Sequence, residues 1–491
     1  MAAIFAALIG CGAPKTKSSS APSAQSNGPH ETWHAVYMQG SYVGYLHVTE
    51  RTNSDTSPPL IESEAHMTMP MNRGGQQVSI ETTHKSAETI DGNLVSFRDE
   101  QRLGPTPTVS TGQVKDGTLN IITTDGQHTS KRQIDLPKET GGPFAPEHSL
   151  SRQPMQPGES RTIRFFEPTS GALATETLVA GDYEQVELLS TKQELLRIES
   201  SLTIEGQPQP RSLRWTDRAG ETLKTEVPGM QQVIYRTTKE QALREGIEEP
   251  AFDLLLATLV KLEKPIENAR RTRVARYRVE LADGDPAKIF AFGPTQHIKS
   301  LGPHTAEITV TTIDPKAPSC EDALASATAE DREANNIIQS DDPQVVEMAR
   351  DASRGHTNAG EIAVALEEYV SRNMKRNYRV AFATAADAAR TLEGDCTEHA
   401  VLLAALARAS GIPARVAIGL VYSPADQAFA YHMWTEMLLD DCWVPLDATL
   451  GEGRISADHL KISDSALPGR ASFLPVANVL GQLKIEVLDA R

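Results

Sequence analysis

The chain has 491 residues, enough for two to four domains of ordinary size. Its 39% hydrophobic and 23% charged content describe a soluble, folded protein rather than a disordered one. The net charge is −17 and no run of Lys or Arg could form a basic groove, which argues against nucleic acid and anionic lipid surfaces as partners.

The first eleven residues are apolar and end in Leu8-Ile9-Gly10-Cys11. They are too short to span a bilayer, which takes roughly 20 apolar residues. The stretch resembles a secretion signal closed by a bacterial lipobox, although no Lys or Arg precedes it. That resemblance implies cleavage before Cys11, lipid attached to it, and a place in the cell envelope, periplasmic or at the surface. The alternatives are an apolar N-terminus without that role or a misassigned start. Residues 12–30, rich in Ser, Ala and Pro, read as a flexible tether. Membrane contact is expected only through the anchor.

Residues 31–245 read as β-structure. Thr32–Met38 and Tyr42–Val48 are rich in aromatic and β-branched residues, with Gln39-Gly40-Ser41 as the turn between them. Asp91-Gly92, Asp116-Gly117 and Asp125-Gly126 are hairpin signals, because Asp and Gly tolerate positive φ. Turn spacings of roughly ten residues predict an antiparallel sandwich or open barrel. His34, His47 and His84 stand alone and read as strand residues. Arg214-Trp215-Thr216-Asp217 before Gly220 reads as a strand running into a turn.

Between 250 and 320 the pattern predicts a short apolar helix over Phe252–Leu262 and a small β-unit within Arg270–Val310. Helices follow at Pro343–Ala352 and Glu361–Asn373, the second with Ile362, Leu366, Tyr369 and Val370 on one stripe. The four cysteines, Cys11, Cys320, Cys396 and Cys442, include no C-x-x-C pair. A structural zinc site and a disulfide-built scaffold are therefore not expected, while one bridge, such as Cys320 to Cys442, stays open. No cofactor or metal is called for.

The chemistry concentrates after residue 390. Gly394-Asp395-Cys396-Thr397-Glu398-His399-Ala400 leads into an apolar run, Val401–Ala409, closed by Ser410-Gly411-Ile412-Pro413. Asp395 suits an N-cap and Gly411 with Pro413 a stop, so Cys396 falls in the first turn of a buried helix. Free N–H groups and the positive end of the dipole there favour a thiolate and can receive an oxyanion. Arg415–Tyr422 and Phe429–Leu439 read as strands. If Asp440-Asp441 is a two-residue turn, Leu439 faces Cys442, Trp434 faces Asp447 and His432 faces Thr449. His432 and Asp447 then share a face as diagonal neighbours, and Cys442 points away from it. Glu398 and His399 read as structural or rim residues, Arg408 and Arg415 as fixing the helix-to-strand connection, and Trp434 and Trp443 as core. Pro445 suits an edge strand.

Four ordered blocks carry a resemblance: Gly394-Asp395-Cys396 with Glu398 and Ala400; Arg408 to Arg415; Tyr431-His432-Met433-Trp434-Thr435-Glu436; and Trp443 to Thr449. They resemble the transglutaminase-like superfamily. The resemblance implies an α+β, papain-like core over 340–465, with a Cys-bearing helix on an antiparallel sheet, and leaves 466–491 as a C-terminal extension. It also implies that Cys396, His432 and Asp447 form the reactive trio of a cysteine enzyme. Such an enzyme would act on amide bonds of proteins or peptides through a thioester, with hydrolysis favoured over transfer to an amine. The rival reading is a cell-surface binding or scaffolding protein that uses the domain as a module.

Overall fold

The computed structural model describes residues 30–104, 106–126, 128–244, 252–320, 326–380 and 382–491. The expected leader with Cys11, and nearly all of the tether, lie outside the described residues. Two compact units divide the chain. The first runs to Phe252, and the second holds Asp253–Arg491 together with the short segments Arg73–Gln76 and Leu103–Thr106.

In the first unit, strands pair largely in chain order across tight turns. Gln39-Gly40 and Asp116-Gly117 make two of these, with φ of 50° and 77° in one and 51° and 79° in the other. A non-local pairing, His30–Met38 with Gln232–Thr237, joins two such meanders. The result is one sheet of fifteen strands, not a sandwich of two sheets. The three lone histidines all have partners: His34 with Thr32, His47 with Glu31 and stacked on Trp33, His84 with Asp99.

The second unit is mixed α+β. Its centre is the helix Cys396–Ala409, which packs against Pro343–Ala352, Ala359–Asn373 and the strand Ala428–Leu439. Leu402, Leu403 and Leu406 on that helix are fully buried, whereas the two flanking helices are amphipathic. The strand Ala428–Leu439 pairs with Ala414–Ser423 along its length and with Cys442–Leu446 at its far end. Ala414–Ser423 pairs in turn with His459–Ser465. A second sheet orders Gln296–Gly302, Thr305–Thr311, Val274–Leu281 and Leu483–Ala490. The residues beyond 466 therefore include a strand of that sheet. Tyr277, Val279, Ile308 and Ile485 share one core with Leu420, Phe429 and Leu460 of the first sheet.

Phe252–Leu262 is not the single helix expected of it. Leu254–Ala257 makes one turn capped by Asp253, and Val260–Lys261 is a strand paired with Phe429 and Ala428. The β-branched Thr258 and Val260 favour extended chain, and a partner strand is at hand to receive it. No helix among the described residues is long and apolar enough to cross a membrane.

Cys320 and Cys442 are joined in a disulfide with a Cα separation of 5.8 Å, across 122 residues of sequence. Cys442 is buried in the core around the central helix, on the short strand that leads to Asp447. Closing so long a loop removes much of the unfolded chain's freedom, so Cys320→Ser should cost about 2–4 kcal/mol of stability. A urea midpoint equal to that of the native protein would show that the bridge contributes nothing.

Candidate functional site

Asp395 is the N-cap of the central helix: its carboxylate accepts from Thr397 N at 2.8 Å. Glu398 completes a capping box by accepting the Asp395 N–H at 2.9 Å, and its other oxygen accepts from Ala383 N at 3.0 Å. Glu398 is fully buried, and burial, then the Asp395 charge, raises its carboxyl well above the ordinary value. Arg73 pairs with the free side of Asp395. His399 is also buried and donates Nδ1–H to the Asp395 carbonyl at 2.6 Å, with burial holding its ring below the usual value. Both side chains are thus interior braces of the helix start rather than rim groups. The effect is to hold Cys396 at the first helical position, half-buried and free, at the positive end of the helix dipole.

The helix closes at Ser410, with Gly411 at φ 80°. Arg408 then ties the helix to the chain around it, donating to the carbonyls of Ala414, Glu333 and Ala466. Arg415 pairs with Glu436 and Asp464 and covers the Trp443 ring.

Asp440 and Asp441 both have positive φ, 45° and 62°, and make the two-residue turn that puts Leu439 opposite Cys442. Pairing runs to Thr435 opposite Leu446. Beyond it the chain leaves the sheet, because Asp447 Oδ1 accepts from Thr449 N at 2.8 Å and its carbonyl accepts from Gly451 N at 2.9 Å. Thr449 is therefore in a turn, not opposite His432 as the extrapolated register had it. Pro445 lies on a strand paired on one side only, where its missing N–H breaks no ladder.

The structure brings His432 and Asp447 together: Nε2–H of His432 donates to Asp447 Oδ2 at 2.7 Å, with both side chains buried. The charge of the Cys396 sulfur acts on the same imidazole. With Nε2 committed to the carboxylate, Nδ1 is the nitrogen left to serve the sulfur. Burial alone would lower the His432 ring, but the charges of Asp447 and Cys396 and their hydrogen bonds raise it to about 9. Asp447 moves the other way. Burial would raise it, yet the charge and hydrogen bond of His432, with those of His459, hold it well below the carboxylate range. Thr435 donates to the Ala400 carbonyl at 2.9 Å and pins the His432 strand to the Cys396 helix.

Trp434, a core residue, also frames the site. Its ring is stacked with His432 at 6.3 Å and meets His459 edge-on at 5.3 Å. Gly419 lies opposite His432, and a Cβ there would strike the Leu460 carbonyl at 2.1 Å and the Trp434 ring at 2.8 Å. Only glycine lets the rings and the next strand close in at that point.

His459 was not foreseen. It opens the strand His459–Ser465, and its Nε2 lies 3.3 Å from Asp447 Oδ2. Asp458-His459 just ahead of an alternating strand was the one available signal. The place of that strand beside Ala414–Ser423, which puts His459 opposite Val421, is set by non-local pairing. Glu367 was also missed. It is buried on the helix Ala359–Asn373, where it accepts from Gly453 N at 3.0 Å, and burial, then the charge of Asp447, pushes its carboxyl up to about 7. His432, Asp447 and His459 offer atoms within 4.8 Å of one another, as a metal site would. Hydrogen bonding accounts for that closeness: a ring nitrogen that donates its proton to the carboxylate has no lone pair for a cation.

Residues 346–448 match the family model described as the transglutaminase-like superfamily. No curated protein matches the chain. Among solved structures, a candidate cysteine protease from Cytophaga hutchinsonii is 16% identical, covering 45% of this chain and 92% of that one, at a TM-score of 0.30. A candidate protease from Parabacteroides distasonis is 10% identical, covering 79% of this chain and 67% of that one, at a TM-score of 0.18. The family match falls on the capped Cys396 helix and the hairpin that bears His432 and Asp447. Residues 346–448 form a domain of the transglutaminase-like superfamily.

Proposed function

We propose that the protein is a cysteine-dependent enzyme that opens amide bonds of proteins or peptides through a thioester on Cys396, with water as the favoured acceptor. The observation that carries this is a free thiol at a capped helix start whose charge acts on an imidazole, with Nε2 of that ring 2.7 Å from a buried carboxylate oxygen. His432 takes the thiol proton, and the thiolate attacks the amide carbon. The backbone N–H of Cys396, which the cap does not take, receives the oxyanion. As the tetrahedral adduct collapses, the C–N bond breaks, His432 delivers its proton to the departing amine, and a thioester remains. Water then adds with His432 as base, the acid is released and the thiol is restored. An amine in place of that water would give transamidation. Asp447 keeps the ring oriented and stabilises its charged form.

Export with lipid attached at Cys11 belongs to the same proposal. The leader pattern supports it, and so does the Cys320–Cys442 bridge, since disulfides persist in oxidising compartments.

Three outcomes are expected. Cys396→Ala should abolish release of ammonia or amine from glutaminyl and peptide substrates, and iodoacetamide should label Cys396 in the native protein. A variant as active as the native enzyme, with Cys396 unlabelled, would sink the proposal and leave the binding-module reading. Incorporation of a fluorescent amine in place of ammonia release alone would move the assignment from hydrolysis to transamidation. Asp447→Asn should lower kcat by about 10²–10⁴-fold with little change in KM.

The third outcome concerns pH. His432 is raised to about 9 and must be protonated to expel the amine, so kcat should fall as pH rises through about 9. The same raised value makes its contribution to stability complete below about 6.5 and lost as pH rises through about 9. Asp447 is depressed, so its contribution is present above about 3.9 and lost as pH falls through its folded-state value. Urea midpoints at pH 6 and pH 10 should differ in favour of the lower pH, and less so in His432→Gln.

A further inference from the structure

His459 stands outside the reacting trio, yet its ring faces acceptors on both sides. Nδ1 lies 2.9 Å from Asp458 Oδ1 and 3.2 Å from the Ser456 carbonyl. Nε2 lies 3.3 Å from Asp447 Oδ2. A neutral imidazole has one N–H and one lone pair. Either tautomer would therefore set a lone pair against a carboxylate oxygen in a buried site. Only the doubly protonated ring satisfies every neighbour.

The surroundings keep it so. Asp458 is fully buried; its Oδ2 accepts from Arg270 Nη1 at 2.6 Å, and its Oδ1, which faces the ring, also accepts from Ser456 Oγ at 2.6 Å. Its charge is thus anchored next to the ring. Glu452, paired loosely with Arg270 at 3.7 Å, adds a further negative charge nearby. Trp434 covers the ring edge-on, and His432 lies across Asp447 with ring centroids 5.9 Å apart. Burial would push the His459 ring down, but the charges and hydrogen bonds of Asp458 and Asp447 raise it to about 9.

We propose that His459 is a positioning residue, held as a cation against Asp447, which weakens that carboxylate's stabilisation of the His432 imidazolium. The inference rests on the acyl-transfer reading of the site and deepens it. Asp447 Oδ2 accepts from two imidazolium rings at once, and charge spent on one is unavailable to the other. A carboxylate facing His432 alone would hold the imidazolium more firmly and slow its gift of a proton to the leaving amine. With His459 present, the ring stays aligned and charged while its proton remains transferable.

The test needs no substrate. In protein labelled with ¹⁵N on histidine, both His459 nitrogens should carry protons at pH 7. A His459 ring with one bare nitrogen would overturn the proposal. In His459→Gln, which keeps an N–H donor toward Asp447 but removes the charge, the His432 ring should titrate about one pH unit higher. His459→Lys, which restores a cation, should bring it back toward the native value. A folded His459→Gln protein whose His432 titration is unmoved also overturns the proposal, because loss of packing alone would not shift that midpoint selectively. Should the variants fail to fold, the protonation state of the native ring decides. Failure here is distinct from failure of the acyl-transfer reading, which is judged by Cys396→Ala on amide substrates.

Discussion

A single buried carboxylate organises the second unit. Asp447 is withdrawn from solvent and must be neutralised where it stands, and two imidazoles and a backbone N–H do so. Each of those donors needs a rigid element to hold it. His432 takes its place from a strand pinned to the Cys396 helix through Thr435, and His459 from the next strand but one, separated from it by Ala414–Ser423. The absence of a side chain at Gly419 lets these strands and rings approach. An unpaired carboxylate at this depth would be severely destabilising, so the anion dictates the packing around it as much as the reverse.

The sulfur is handled by a different device. Its helix start is fixed by interlocking bonds among Asp395, Glu398 and His399, all buried. A frayed first turn would scatter the N–H groups that give the position its chemical value. Rigidity at the helix end and charge compensation at the strand are separate solutions, and the proposed reaction requires them to meet at one imidazole.

Local pattern carried much of this. Asp395 and Gly411 bracket the helix because capping and stopping are decided within a turn or two of chain. The Asp440-Asp441 turn sets hairpin register, so the juxtaposition of His432 with Asp447 followed from parity alone. The errors share a cause. Thr449 was extrapolated along a strand that in fact ends where Asp447 bonds its own backbone. Phe252–Leu262 lost its helix to a distant strand partner. His459 depends on which strand lies beside Ala414–Ser423, and the fifteen-strand sheet depends on one pairing between residues about two hundred positions apart. Periodicity does not encode such choices.

The bridge between Cys320 and Cys442 bears on how the molecule is made. In a reduced chain these two thiols and Cys396 can combine in three ways: Cys320 with Cys442, Cys320 with Cys396, or Cys396 with Cys442. Two of those three pairings would consume the sulfur assigned here as nucleophile. Docking of the short strand against the core is what holds the correct partners at bonding distance. Material in which Cys396 is caught in either of the other two pairings would be covalently intact yet chemically silent.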